Sequence, residues 1–285
     1  SRSLSNSLAG QLPGRIAAQR SGEPGYDNSE FWIRGVSSFA GGTNPLVLVD
    51  GVPRQMNDIE PDEIETFALL KDAAATSVYG SEGANGVILI TSKRGKIQKT
   101  SITYRGEGSR LSPTRVPKFA GSFDYLSFYN EALRNSGQPE LFSEGTLNKY
   151  LTGEDRDLYP NVNWWDALMK DHTYNNRHTI NFRGGAEKMR YFVSGAYFGE
   201  SGLYKVNNNY NNNAGIKRFN LRSNIDMDIT KDLLLRADLS GQYLQVNRPP
   251  FDTGRLFTGI FTSPPHVIPV KYSDGSLADN HAAII

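Results

Sequence analysis

Residues 219–230, FNLRSNIDMDIT, alternate by parity: Phe219, Leu221, Ile225, Met227 and Ile229 are apolar, and Asn220, Arg222, Asn224, Asp226, Asp228 and Thr230 are polar. A period of two predicts a strand with one apolar and one charged face. The pattern returns where Leu233, Leu235, Ala237, Leu239 and Tyr243 oppose Asp232, Arg236, Asp238, Ser240 and Gln242, and where Ile180 and Phe182 oppose Arg177, Thr179, Asn181 and Arg183. In a soluble sandwich the polar faces meet water and the apolar faces a core. Long strands with polar faces carrying both signs of charge suit instead a transmembrane β-barrel with a wet lumen. On that reading Leu221, Ile225, Met227, Leu235 and Leu239 face lipid, while Asp226 faces the lumen, where an asparagine would serve as well.

The pattern changes near residue 97. Before it, apolar residues at Leu4, Leu8, Leu12 and Ile16 are spaced as in a helix until Pro13 interrupts. Short apolar runs follow, EFWIRGV, PLVLVDGV, IETFALL and GVILITSK, with DAAATSVYG expected as a short helix between the last two. Leu46, Leu48, Val52, Val87, Leu89 and Ile90 are the candidate core, and Gly35, Gly51, Gly80, Gly83 and Gly86 mark turns or close approaches. Beyond 97 the expected strands are 101–109, 173–184, 187–199, 216–230 and 231–247. Short turns follow Gly184 and Asp228, whereas 110–170 and 200–215 are long, which is the loop asymmetry of an outer-membrane barrel. FDYLSFYNEALRN and VNWWDALMK are expected as helices within the longer insertion.

Composition narrows the classes. A net charge of +1 argues against nucleic acid as the main partner. No apolar run is long enough for a helical span, a test to which barrel strands are blind. Cysteine is absent, which removes disulfides and thiol chemistry. The 11% of aromatic residues would furnish interfacial belts. SRSLSNSLAG has no apolar signal-peptide core, so a precursor segment is expected to lie outside this sequence.

FWIRGVSSFAGGTNPLVLVDGVP followed by DIEPDEIETFALLKDAAATSVYGSEGANGVILITSKRGK resembles the plug domain of TonB-dependent outer-membrane transporters. The preceding SLSNSLAGQLPG, and later NVNWWDALMK, TINFRGGAEKMRYFVSGAYF and FNLRSNIDMDITKDLLLRADLSGQY, are similar to the SusC-like branch. The resemblance implies an α+β plug, residues 1–97, inside a transmembrane antiparallel β-barrel, of which 98–285 holds about the first five strands. Plugged transporters of this size class use roughly twenty-two, so this piece is not expected to close a barrel. It further implies active import of glycans across the outer membrane of a Gram-negative bacterium, without chemistry on the solute and without a cofactor. The implied partners are a SusD-type surface lipoprotein, TonB through a segment outside this sequence, outer-membrane lipid and the solute, in a dimer of transporter–lipoprotein pairs. An oligopeptide importer of the same branch is the alternative. A soluble carbohydrate-binding or adhesion β-module and a glycan-cleaving enzyme are the competing classes.

The resemblance implies that the plug loops 20–28 and 54–58 are apical and face the outer mouth, which makes them the candidate solute site, with Tyr26 for stacking and Asn28, Arg54, Gln55 and Asn57 for hydrogen bonds. Arg34 and Asp50 are candidates to bridge plug and wall. Tyr125, Tyr129, Trp164 and Trp165 supply apolar area for the lipoprotein contact or for packing of their own loop. Asp58, Glu60, Asp62, Glu63 and Glu65 lack the spacing of a calcium loop and are expected to be a solvated helix start. The glycines of YGSEGANG precede a strand rather than the helix that a phosphate cradle needs. His172, His178, His266 and His281 have no metal-ligand spacing, and no serine lies in a GxSxG setting.

Overall fold

The computed structural model describes residues 15–19, 24, 29–33, 45–70, 77–205, 214–248 and 253–278. Contacts divide the chain into two compact units: 1–110 with 174–202 and 214–247, and 111–173 with 203–213 and 248–285. The first unit therefore joins the plug segments to the wall strands.

Within it, β1 (Arg15–Gln19) pairs antiparallel with β2 (Ser29–Ile33). Ile16 thus lies in a strand, beyond Pro13 and Gly14, rather than on the expected helix. A four-stranded sheet follows, with β3 (Leu46–Val49), β4 (Val52–Pro53), β5 (Ile64–Leu70) and β6 (Val87–Ser92) in the order β4-β3-β6-β5. Asp50 and Gly51 turn β3 into β4 at φ values of 51° and 87°, the positive pair that a two-residue hairpin favours in Asp-Gly. The parallel strands β3 and β6 are central, so both their faces are covered. Val47, Val49, Ile88 and Ile90 form the core with Met56 and Ile59, and Leu48 and Val87 are buried on the other face. Leu46 and Leu89 are half-buried, and Val52 is exposed because β4 is a two-residue edge. Of DAAATSVYG the described part, from Ser77, is a 3-10 turn broken at Gly80, not an α-helix.

The wall is a five-stranded antiparallel meander: β7 (Gln98–Leu111), β8 (Thr173–Ala186), β9 (Met189–Ser201), β10 (Gly215–Asp228) and β11 (Leu234–Asn247). Each expected strand is present: β7 and β8 are longer than expected, β9 is shifted by two residues, and β10 and β11 are shorter because the turn between them takes up residues 229–233. Burial is inverted relative to a soluble sheet. Arg218, Asn220, Arg222, Asn224 and Asp226 are buried, whereas Phe219 and Leu221 are 46% and 55% exposed. Apolar side chains turned outward and charges turned inward are what lipid demands of a strand, and this disfavours the soluble module.

An aromatic row crosses the outer face, one residue from each strand. Tyr104 stacks on His178 at 6.1 Å, His178 on Tyr197 at 6.4 Å, Tyr197 meets Phe219 at 4.9 Å and Phe219 meets Tyr243 at 6.2 Å. The Tyr104 hydroxyl and His178 Nδ1 share a 2.7 Å hydrogen bond. The row lies toward the long-loop ends of the strands. From Phe219 to Met227 the outward side chains are Leu221, Ser223, Ile225 and Met227, spanning roughly 19 Å of height at a rise of about 3.4 Å per residue and a tilt near 45°. An aromatic girdle above an apolar band of that depth marks a lipid boundary.

The second unit contains α1 (Ser122–Asn135), α2 (Glu144–Thr152), α3 (Trp164–Leu168) and α4 (Thr253–Thr262). Trp164 and Trp165 are buried with Met169 and with Ile260 of α4, so they pack the core of this unit. Tyr125 and Tyr129 remain 37% and 44% exposed. The stretch IPVKYSDGSL forms a turn closed by a Lys271–Leu277 bridge, with Gly275 at φ 85°.

The wall assignment sets unequal costs along one strand. Leu239→Arg, in the apolar band, is expected to destabilise the full-length barrel by about 2–4 kcal/mol, and Gln245→Arg, beyond the girdle, by about 0–1 kcal/mol. Denaturant titration in detergent measures both, and equal costs contradict the assignment.

Candidate functional site at the plug and wall interface

Two short 3-10 turns, Met56–Asp58 and Pro61–Glu63, carry the acidic run. Met56 and Ile59 drop into the sheet core, which turns Glu60 and Glu63 the other way, into the wall. Glu60 is 1% exposed and Glu63 3%. This corrects the expected solvated helix start: apolar neighbours draw the segment down, and the wall supplies its counter-charges.

Glu60 lies between two arginines, with Arg177 Nη1 at 3.1 Å from Oε1 and Arg218 Nη2 at 3.7 Å from Oε2. Both arginines are in register with Phe198, and their guanidiniums sit 5.3 and 5.4 Å from its ring centroid. The phenyl ring thus gives each cation a face to stack on. Glu63 accepts from Arg222 Nε at 2.8 Å, and Arg222 Nη1 lies 3.4 Å from Asp50 Oδ2. Asp50 also accepts from the Ser92 amide and hydroxyl at 2.9 and 2.5 Å, so one aspartate ties the hairpin turn to β6 and to the wall.

Amides continue the contact. Asn220 and Gln242 donate to the Asp58 carbonyl at 2.9 and 3.3 Å, and Asn224 donates to Ser92 Oγ and the Lys93 carbonyl at 2.7 and 2.8 Å. At the plug's end the polarity reverses. Arg94 bridges Asp226 at 2.8 Å and Asp238 at 2.5 Å, while Arg183 donates to the Arg94 carbonyl and pairs with Glu65. Asp226 is therefore not a lumen residue open to water, and Asp226→Asn would remove one of the two carboxylates that hold Arg94, leaving Asp238. A Cβ on the next residue, Gly95, would lie 2.1 Å from the Tyr191 amide nitrogen, so the linker passes β9 only as glycine.

Burial pushes the carboxyls of Glu60 and Glu63 above their ordinary range, against the opposing pull of the facing arginines. Asp58 is raised for the same reason. Guanidinium suits this setting because it stays charged and spreads its donors in a planar fork.

Of the sequence-predicted solute residues, Tyr26 and Asn28 lie outside the described residues, as do Arg34 and the side chain of Asn57. Arg54 is exposed and donates from Nη2 to Ser240 Oγ on β11 at 2.8 Å. Gln55 lines, with Arg54, Pro53, Asp58 and Pro45, an open depression of about 470 Å³. Missed by the sequence reading were Glu60 and Glu63 and their arginines. Their signal was the polar parity of β8 and β10, which marks an inward face but does not say that a second domain fills it.

The anchoring acids differ in what a substitution removes. Glu63→Ala leaves Arg222 facing Asp50 alone and is expected to loosen residues 45–70 by about 3–5 kcal/mol, read by hydrogen exchange on the full-length receptor. Glu63→Gln keeps an acceptor and costs less. With folded pKa values raised, the stabilisation from Glu60 and Glu63 is complete below their unfolded values and lost as pH rises through the folded ones. Anchoring through these two acids therefore does not weaken on acidification, and Glu63→Gln flattens that part of the pH profile.

The TonB-dependent receptor plug domain model matches residues 1–87. TonB-dependent receptor P39 of Formosa agariphila is 31% identical over 279 residues, 95% of this chain and 25% of that protein. TonB-dependent receptor SusC of Bacteroides thetaiotaomicron is 26% identical over 269 residues, 90% of this chain and 24% of that protein. The chain thus spans about a quarter of the length of these relatives. Among solved structures, the RagAB peptide transporter superposes with a TM-score of 0.79 at 24% identity, covering 99% of this chain and 34% of its counterpart, a likeness of fold. A plug sheet followed by an inside-out strand wall, matched along nearly its whole length by such receptors, places the chain in the SusC-like branch of the TonB-dependent receptors, outer-membrane proteins of Gram-negative bacteria, as their plug and first barrel strands.

Proposed function

We propose that the full-length receptor imports oligosaccharides across the outer membrane, energised through TonB and working with a SusD-type surface lipoprotein. The observation that carries this reading is the plug–wall contact. Asp50, Glu60, Glu63, Ser92 and Arg94 hold the plug against β8–β11 through paired charges and amides, which makes a gate that blocks passage at rest. Such a contact parts at modest cost, because separated charges regain water. Solute binds at the apical plug residues Tyr26, Asn28, Arg54, Gln55 and Asn57, the amides and tyrosine serving sugar hydroxyls. The exposed Tyr125 and Tyr129 of α1 are offered to the lipoprotein, and the assembly is a dimer of receptor–lipoprotein pairs.

Oligopeptide import is the second reading, supported by the fold shared with the RagAB peptide importer. It asks Arg54 to meet a carboxylate, although its guanidinium already donates to Ser240.

Calorimetry with the purified full-length receptor and its lipoprotein decides between them. Oligosaccharide mixtures are expected to bind, and oligopeptides of the same size are not. Replacing Tyr26, Arg54 and Asn57 together with alanine is expected to weaken binding at least tenfold, about 1.4 kcal/mol, with barrel assembly intact. Peptide binding alone establishes the second reading, and unchanged affinity in the triple variant moves the site off the plug.

A further inference from the structure

The outward face of β8–β11 carries one Lys, Arg, Asp or Glu side chain among the described residues, Lys217. Its position is not arbitrary. Lys217 lies two residues from Phe219 of the aromatic girdle, on the long-loop side, in the cross-strand row Asn176–Gly199–Lys217–Gln245. Adjacent strands are about 4.8 Å apart, so Lys217 and Gln245 are immediate neighbours, while Asn176 lies two strands away across a residue that has no side chain.

That glycine is a notch with polar walls. A Cβ on Gly199 would meet the Tyr197 hydroxyl at 2.6 Å and Asn176 Oδ1 at 2.9 Å. The phenol and the amide therefore converge over Gly199, and Lys217 stands beside them. Lys217, Asn176 and Gln245 are all exposed, and Lys217 has no ion pair among the described residues.

We propose that this notch binds the phosphate of an outer-leaflet glycolipid headgroup, with Lys217 as counter-charge, Tyr197 and Gln245 as hydrogen-bond donors, and Asn176 as a further donor once its amide turns to put Nδ2 in place of Oδ1 over Gly199. Depth and charge both favour this occupant. The girdle below fixes the headgroup level, the long loops mark the outer side, and the one cation among the described residues on the outward face of β8–β11 stands at that level rather than in the apolar band. A carboxylate-bearing partner would not need the acyl-chain surface that Leu221 and Leu239, 55% and 67% exposed, provide directly beneath. Lysine suits the role because a flexible ammonium follows a mobile phosphate while staying hydrated.

Native mass spectrometry of the full-length receptor in detergent tests the site, with diphosphoryl lipid A, dephosphorylated lipid A, phosphatidylglycerol and inorganic phosphate as probes. Diphosphoryl lipid A is expected to be retained, with Lys217→Gln and Asn176→Leu each lowering retention at least fivefold and Lys217→Arg restoring most of it. Dephosphorylated lipid A is expected at the lower level in all forms. Both variants change exposed side chains, and heat-modifiable gel migration confirms the folded barrel. Retention unaffected by either variant overturns the site. Equal retention of phosphatidylglycerol, or displacement by inorganic phosphate at matched concentration, overturns the glycolipid as its occupant.

Discussion

Glu60 and Glu63 sit almost without solvent access, and ionised carboxylates so placed cost several kcal/mol each unless the surroundings return it. Arg177, Arg218 and Arg222 return part of it. None of the five would be stable where it is without the others. The wall arginines would otherwise crowd one another as like charges on one inward face, and the plug acids would otherwise hold the 56–63 segment in water and strip Met56 and Ile59 from the core. Plug and wall consequently form one compact unit although they are consecutive in the chain.

An apolar contact of similar size would be stronger, since well-packed hydrophobic replacements of buried ion pairs are often neutral or stabilising. It would also be harder to open, because bare apolar surface gains nothing from water. Charges and amides are rehydrated when parted. Along the interface the partners change sign, from plug acids on wall arginines at Glu60 and Glu63 to a plug arginine on wall aspartates at Arg94. That alternation fixes the register: a slip of one residue along β10 would turn Arg218, Asn220 and Arg222 out into lipid.

Much of the wall was legible in the sequence, because a period of two sustained over a dozen residues has few readings. Phe219 to Thr230 specified a strand and its two faces without further information. What it could not specify is what lies behind the polar face, and so Asp226 read as lumen-facing when it holds Arg94. The plug misled in the opposite sense. Val47, Val49, Ile88 and Ile90 lie in continuous apolar runs where parity has no meaning, so the candidate core, right at Leu48, Val87 and Ile90, left out Val47, Val49 and Ile88 and placed Val52 inside. α2 was announced by Ser143 and Gly153, its N-cap and left-handed C-cap, signals that were present but unread. The acidic run failed for a physical reason: charge density suggests solvation unless the counter-charges, more than a hundred residues away, are known.

Lys217 and Arg218 show how finely one strand divides its two solvents. They are adjacent, point to opposite faces and lie at the same height. Arg218 turns inward, 6% exposed, to a ring and a buried carboxylate, where a planar, weakly hydrated cation loses least on leaving water. Lys217 turns outward above the girdle, where a compact, strongly hydrated ammonium remains in contact with water. Exchanging them would bury the more strongly hydrated of the two cations and leave Glu60 with a partner that cannot stack on Phe198. The choice of base at these two positions thus follows from the solvent on each side of the wall, as the alternation of apolar and polar residues does along the rest of β10.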